Sequence, residues 1–416
     1  MSVVSNFTYK GGVIMPSKFD SNFEVDASLE MAIDFITNTP RKIRDLPAEF
    51  PESGMNKYEA LELLAPHILG KSASLGAPES FAHMDPPTPT ITWAITMWNS
   101  FLNQNLLHSQ TSPFARFAEK TLFDWLCPLF GMEGGHMCSG STVANLTALW
   151  TARESKNIKR IVASEASHIS IKKAANILRI PYFELPTKKT GELERSQLSG
   201  ISDACLVLNC GTTSTGEIDP LDLAGEAKWT HIDAAWGGPL KLSDNHAHKL
   251  KGVERGDSIA ISGHKLLMQP KDSALVMFRD IGSANNNIGF NTGYLMDPNI
   301  GIQGSRGAAA TVLLGTLILF GKTGFNELID HLMSLAELLA KRLISSEAIE
   351  VLTLPKTGIV VFRPRHKDID EVSRQLSNGI ISTCTIQGER WFRAVAANPL
   401  ANIDLISEKI EKSIES

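Results

Sequence analysis

Three short segments carry residues that could do chemistry together. Cys138-Ser139-Gly140-Ser141-Thr142 stands immediately before the helical run Val143-Ala144-Asn145-Leu146. Small residues let a ligand approach the backbone. The hydroxyls of Ser141 and Thr142, with the free N–H groups of a first helical turn, make an anion site. The plainer alternative is an N-cap, where Ser and Thr are favoured anyway. Trp229-Thr230-His231-Ile232-Asp233-Ala234-Ala235-Trp236-Gly237-Gly238 sets Asp233 at the end of an apolar strand, ahead of small residues. A carboxylate there can hold a cation such as a protonated pyridine nitrogen, or simply cap a turn. Asp257-Ser258-Ile259-Ala260-Ile261-Ser262-Gly263-His264-Lys265 ends in a lysine directly behind a strand and a Ser-Gly-His turn. A partly desolvated lysine has a lowered pKa and is a good Schiff-base nucleophile, whereas a single lysine is otherwise a surface charge. Phosphate cup, carboxylate and lysine, in that order, are the parts that pyridoxal 5′-phosphate (PLP) chemistry requires.

The surrounding pattern predicts what positions these parts. Helical stretches over Trp93–Leu106, Phe114–Phe130, Ser141–Arg153 and Ser170–Leu178 alternate with short apolar strands. The strands are Arg160–Ala163, Tyr182–Leu185, Ala204–Asn209, Trp229–Asp233, Ser258–Ser262 and Ala274–Phe278. Such alternation predicts an α/β fold, a mostly parallel sheet covered on both faces, with ligands at the strand ends. Ala308–Phe320 reads as a buried helix too short to span a bilayer. After it come a long amphipathic helix (Phe325–Ser345), strands at Gly358–Arg363 and Trp391–Val395, and helices at Asp370–Leu376 and Asn402–Ile414. The expected division is an N-terminal arm with helices (1–75), a large domain (76–321) and a small α+β C-terminal domain (322–416).

The chain has 416 residues, 43% hydrophobic and 20% charged, with a formal net charge of −5. Without a basic block, no nucleic acid and no membrane partner is expected. Met1–Asp20 lacks the layout of a signal peptide, so a cytoplasmic location is expected. Five cysteines without a CxxC pair predict a reduced interior and no metal.

These segments resemble those of the group II PLP-dependent decarboxylases, the fold-type-I family that contains glutamate, aromatic amino acid and 2,4-diaminobutyrate decarboxylases. His231 through Gly238 is similar to that family's H-V-D-A-A-Y-G-G, and Asp257 through Lys265 to its A-D-S-x-x-x-x-x-H-K. Asn209-Cys210-Gly211-Thr212-Thr213-Ser214-Thr215-Gly216 is similar to A-x-x-G-T-T-x-x-G, and Ser164-Glu165-Ala166-Ser167-His168-Ile169-Ser170 to S-x-x-x-H-x-S. The resemblance implies a PLP-dependent transferase-like large domain of fold type I and a small domain behind it. It implies that Lys265 carries PLP as a Schiff base and that Asp233 pairs with the pyridinium nitrogen. His168 would stack on one ring face and could move protons, and Ala235 would pack on the other. With Trp236 beside Ala235, the site would be stacked and water-poor. Ser141, Thr142 and His264 would hold the phosphate. Ser262, standing where the family often has Asn, would touch the cofactor, and Thr213 would lie near its ring or O3′ side.

The reaction implied is decarboxylation of an amino acid to the amine and carbon dioxide. The alternatives are another PLP reaction on this scaffold (carbon–carbon lysis, aldehyde-forming oxidative decarboxylation or transamination) or a non-catalytic binding protein of the same fold. The intact Lys265–Asp233 pair argues against the last. Family decarboxylases often carry a long loop with a catalytic Tyr. Here only Met296 to Gln303 separate Tyr294-Leu295 from Gly304-Ser305-Arg306-Gly307, as in short-loop relatives such as sphingosine-phosphate lyases. His168 is therefore the first candidate for the proton donor and Tyr294 the second. Arg393 could bind a substrate carboxylate, although a surface or inter-domain salt bridge is its plainer reading. The resemblance also implies a homodimer with composite active sites, in which Phe81-Ala82-His83-Met84 and Gly304-Ser305-Arg306 line the partner subunit's pocket.

Overall fold

Two helices come first, α1 (Ala27–Thr37) and α2 (Lys57–Lys71), capped by the side chains of Asp26 and Asn56. They pack on each other within one compact unit ending at Ser74; a second unit runs on from Leu75. The structure is a computed structural model that describes residues 24–290, 299–376 and 379–415.

The second unit opens with α3 (Thr90–Leu102) and α4 (Pro113–Leu126), the latter started by Pro113 in its first turn. Then β1 (Gly134–Cys138) leads into α5 (Ser141–Lys156), β2 (Arg160–Ser164) into α6 (Ile169–Leu178), and β3 (Tyr182–Leu185) follows. The strands β4 (Ala204–Asn209), β5 (Trp229–Asp233), β6 (Ser258–Ser262) and β7 (Ala274–Phe278) complete a seven-stranded sheet of order β1-β7-β6-β5-β4-β2-β3. Among the described residues only β7 runs against the rest. The sheet is therefore mostly parallel, as expected. Apolar residues occupy both sides of each central strand. In β4, Leu206 and Leu208 enter one core and Cys205 and Val207 the other. In β6 and β7, Ile259, Ile261, Leu275 and Met277 oppose Ala260, Val276 and Phe278 in the same way. Leu122, Phe123 and Leu126 of α4 close the first core, and Ala148, Leu149, Ile171 and Ala175 of α5 and α6 the second.

Short elements follow: α7 (Ile281–Ile288) and the two-residue strands β8 (Gly289–Phe290) and β9 (Asn299–Ile300). Helix α8 (Ala309–Ile344) is interrupted at Gly321, whose φ of 59° and ψ of −170° are not helical. The chain from Leu75 to Ser416 forms one compact unit, with no division at Gly321. The sequence suggested a buried helix here, but the first half of α8 is only partly buried. Leu313 is in the core, but Ile318 and Leu319 are 66% and 56% exposed. The last sheet, β10-β11-β13-β12, joins β10 (Ile349–Val351), β11 (Ile359–Pro364), β12 (Ser382–Ile386) and β13 (Glu389–Val395), all antiparallel. The second half of α8, α9 (Ile369–Gln375) and α10 (Ile403–Glu415) cover it around Leu339, Phe362, Phe392 and Ile410.

Two placements differ from expectation. Strand β1 was not foreseen, because Gly134 and Gly135 give no β signal. Gly135 is required by closeness, since a Cβ there would lie 2.1 Å from the Val276 carbonyl oxygen. Phe81 and Met84 do not face outward to line a partner's pocket. Phe81 is 1% exposed within the small-domain core, its carbonyl accepting from Val395 N, and Met84 lies in the core beside the large sheet. His83 alone of that segment is exposed.

Candidate active site

Because β2, β4, β5 and β6 run in parallel, Ser164, Asn209, Asp233 and Ser262 all end at one edge of the sheet. The start of α5 arrives beside them after β1, and reversed β7 delivers Ser273 to the same edge. The loops that emerge carry Ser141, Thr142, His168, Thr213, Ala235, His264 and Lys265. Sheet topology thus brings the loops that carry the expected residues to one edge of the sheet, where open α/β sheets hold ligands. Tyr294 lies outside the described residues.

Asp233 is 6% exposed at the end of β5. Its Oδ1 accepts from the Ala235 amide at 3.1 Å and its Oδ2 from Asn145 Nδ2 at 3.0 Å. Lys265 sits in the turn after β6, half-buried. Burial pushes its pKa down; the Asp233 and Asp85 carboxylates oppose that, and the Lys271 and Arg393 cations add to it. A lysine in this setting releases its proton more readily and gains nucleophilicity.

His168 is the N-cap of α6. Its Nδ1 accepts from Ser170 N at 3.2 Å and bonds the Ser170 hydroxyl at 2.8 Å. Burial lowers its pKa, against the pull of Asp233. Ala235, 8% exposed, follows Asp233 by two residues. Thr213 is exposed, and its carbonyl accepts from Arg393 Nη1 at 2.8 Å. His264 bonds the Ser273 carbonyl through Nδ1 at 3.0 Å, and burial lowers its pKa too.

The residues present fit a phosphate-bearing pyridine cofactor. The hydroxyls of Ser262 and Ser273 are buried with no hydrogen-bond partner among the described residues. Helix α5 starts at Gly140 with no side-chain cap, and a Cβ on Gly140 would meet nothing within 4 Å. Its first amides, at Ser141 and Thr142, have no acceptor inside the helix. Orphaned donors around open space are what an anion needs.

Two expectations change. Trp236 is not a wall of the site. It is 1% exposed and turned into the core, where its Nε1 donates to the Thr357 carbonyl at 2.7 Å, tying the loop before β11 to the Asp233 segment. Arg393 does not make the salt bridge that seemed the plainer reading. No described carboxylate pairs with it; it donates to Thr213 O and to Ser382 Oγ (3.2 Å), near enough to Lys265 to lower that lysine's pKa. Arg306 turns inward to Glu119 at 2.6 Å, and with Ser139, Lys271 and Ser305 it lines a cavity of about 410 Å³.

Sequence reading gave no role to Asn145, Ser170, His231 or Ser258. All four are buried polar residues bonded in series behind Asp233 and His168. The available signal was an Asn among Ala144, Ala148 and Leu149 on the buried face of α5.

Residues 40–365 match the pyridoxal-dependent decarboxylase conserved domain. The chain is 26% identical to the aspartate 1-decarboxylase of Aliivibrio fischeri, covering 86% of this chain and 83% of that one. It is likewise 26% identical to the aromatic-L-amino-acid decarboxylase of Bacillus atrophaeus, covering 85% and 84%. The crystal structure of Oryza sativa TDC with PLP and tryptamine superposes with a TM-score of 0.82 at 20% identity, over 97% of this chain and 99% of that one.

Proposed function

The chain belongs to the pyridoxal-dependent decarboxylase family, and we propose that it works through the constellation around Lys265 and Asp233. It is a PLP-dependent amino-acid decarboxylase, releasing carbon dioxide and the corresponding amine. PLP, when bound, takes up the electron pair left as a bond to the substrate Cα breaks.

The side chains supply the rest. Lys265 is the amine that holds the cofactor, and its burial keeps that amine reactive. Asp233, fixed by Ala235 N and Asn145, holds a proton on the pyridine nitrogen. His168 would cover one face of the cofactor ring and Ala235 the other. Ser141, Thr142 and His264 would hold the phosphate, and Ser262 and Thr213 would contact the cofactor. Arg393, without a carboxylate of its own among the described residues, takes the carboxylate of the substrate. Anchoring that group would orient the substrate and so decide which bond at Cα is presented for cleavage. His168 is our first candidate to return a proton to Cα and Tyr294 the second. The observation that carries this reading is buried Asp233, held at both oxygens, within electrostatic reach of half-buried Lys265.

A homodimer with shared sites belongs to the same proposal. Trp93, Trp98 and Phe101 on α3, with Ile318 and Leu319 on α8, are large apolar side chains left exposed, which supports burial against a second copy. A monomeric species with full activity in sedimentation experiments would contradict it.

The test is an amino-acid panel that includes aspartate and the aromatic residues, the substrates named for the two relatives. Carbon dioxide, organic product and cofactor state are followed together. Gas with an amine is the expected result. Gas with an aldehyde and ammonia would mean oxidative decarboxylation; a keto acid without gas would mean transamination.

A further inference from the structure

Behind Asp233 and His168 runs a chain of buried polar groups whose every hydrogen-bond direction can be fixed. Trp229 Nε1, which can only donate, lies 2.9 Å from Ser258 Oγ. Ser258 Oγ is 2.9 Å from His231 Nδ1, and His231 Nε2 is 2.9 Å from Asn145 Oδ1. Asn145 Nδ2 reaches Asp233 Oδ2 at 3.0 Å and Ser170 Oγ at 2.9 Å. Ser170 Oγ in turn is 2.8 Å from His168 Nδ1.

We propose that Asn145 is a positioning residue that sets Asp233 and His168 together, its orientation fixed from behind by His231, Ser258 and Trp229, so that His168 offers an Nε2–H to the pocket. The directions follow from the groups at the ends. An ionised carboxylate only accepts, so Asn145 must turn its NH2 to Asp233 and its carbonyl to His231. His231 must then carry its proton on Nε2. Complete burial pushes its pKa down to about 4, so the ring is neutral and Nδ1 is left as an acceptor. Ser258 therefore donates to Nδ1 while accepting from the Trp229 indole. On the other branch, Ser170 Oγ receives one Asn145 hydrogen and passes its own to His168 Nδ1. The Ser170 backbone N–H, also only a donor, points to the same Nδ1. Both demand an unprotonated Nδ1, which puts the proton of neutral His168 on Nε2. No alternative set of directions satisfies the indole, the carboxylate and the Ser170 amide at once.

The consequence is a shared anchor. One amide group holds the carboxylate assigned to the ring nitrogen and, through a hydroxyl, the histidine assigned to the ring face. This rests on the assignment of Asp233 to the pyridine nitrogen, but the tautomer of His168 can be read without any cofactor.

The experiment uses the full chain. Long-range proton–nitrogen spectra of the histidine rings in the cofactor-free protein, with His168 assigned by His168→Gln, should show the Nε2–H form. Asn145→Ala should give His168 a mixture of tautomers and weaken PLP binding by roughly 10- to 100-fold, the range for losing one hydrogen bond to a charged group. His231→Leu, which frees Asn145 to turn, should act in the same direction. His231→Gln, which restores a donor toward Asn145, should stay within about threefold of wild type. An Nδ1–H tautomer in the wild-type chain overturns the proposal. So does Asn145→Ala with tautomer and PLP affinity unchanged. Should Asn145→Ala fail to fold, the His231 pair decides, and equal PLP affinity in the Gln and Leu variants rejects the proposal. If PLP proved to be held by another lysine, the tautomer result would stand untouched, so the two failures are distinguishable.

Discussion

Replacing Asp233 with Asn preserves size and shape but turns one acceptor into a donor. Both native oxygens accept, from Ala235 N at 3.1 Å and from Asn145 Nδ2 at 3.0 Å. The Ala235 amide is backbone and cannot change sign, so an Asn at 233 keeps its carbonyl there and turns NH2 toward the NH2 of Asn145. Asn145 cannot flip to meet it without setting its own NH2 against His231 Nε2–H. The variant therefore loses a buried hydrogen bond to a charged group, worth roughly 1.5–3 kcal/mol. It also loses the charge that would hold a proton on the ring nitrogen. We expect kcat to fall by at least about 100-fold, because a neutral amide cannot hold the proton on the ring nitrogen that the electron sink requires as charge develops. Carbon dioxide release under saturating PLP and saturating substrate separates this from weak cofactor binding, and circular dichroism confirms the fold. A correctly folded Asp233→Asn enzyme within about threefold of wild-type kcat would show that Asp233 only caps its strand.

Four further outcomes are expected. Lys265→Met should abolish turnover, and borohydride reduction of the wild-type holoenzyme should leave PLP on Lys265; label on another lysine refutes the assignment. Burial sets the folded pKa of Lys265 below its unfolded value, so between the two the unfolded chain binds more protons and apo stability rises with pH. Lys265→Met should flatten that slope and raise the thermal midpoint of the apo chain below this window; an unchanged slope would mean that the ammonium is well solvated. Arg393→Gln should lower kcat/KM by roughly 10- to 100-fold, with partial rescue by added guanidinium, if the arginine grips the substrate carboxylate; unchanged kinetics would assign it to structure alone. Trp236→Phe, which removes the donor to Thr357 O, should cost about 1 kcal/mol in urea unfolding; an unshifted midpoint would mean that water replaces the indole.

What could be read from sequence was what short range determines. Strands β4 to β7 announced themselves through Val, Ile and Leu, and Asp233 and Lys265 through their positions just behind strand ends. Strand β1 stayed hidden because its glycines answer to a neighbour, Val276, far along the chain. Trp236 was misplaced because its partner, Thr357, lies 121 residues away. Arg393 could be named but not aimed, since its direction depends on the Thr213 loop and on Ser382 across β12 and β13. Asn145 went without a role for the same reason. Its three partners, Ser170, His231 and Asp233, come from β5 and α6, and only the folded sheet brings them to one amide.

The reversal of β7 has a consequence for how the site is assembled. Ser262 pairs with Ala274, so Lys265 rides in a loop closed over only 11 residues. The Asn145–Asp233 bond instead closes 88 residues of chain. Loop-closure entropy grows by about 0.6 kcal/mol per doubling, so the carboxylate anchor costs roughly 2 kcal/mol more to close than the lysine loop. Contacts of long sequence separation are also the slower ones to form in folding. The lysine is thus carried by a local hairpin that can form on its own strands, while the acid opposite it depends on completion of the sheet. Native-state hydrogen exchange should find the Ile261 and Leu275 amides protected to higher denaturant than the side-chain amide of Asn145.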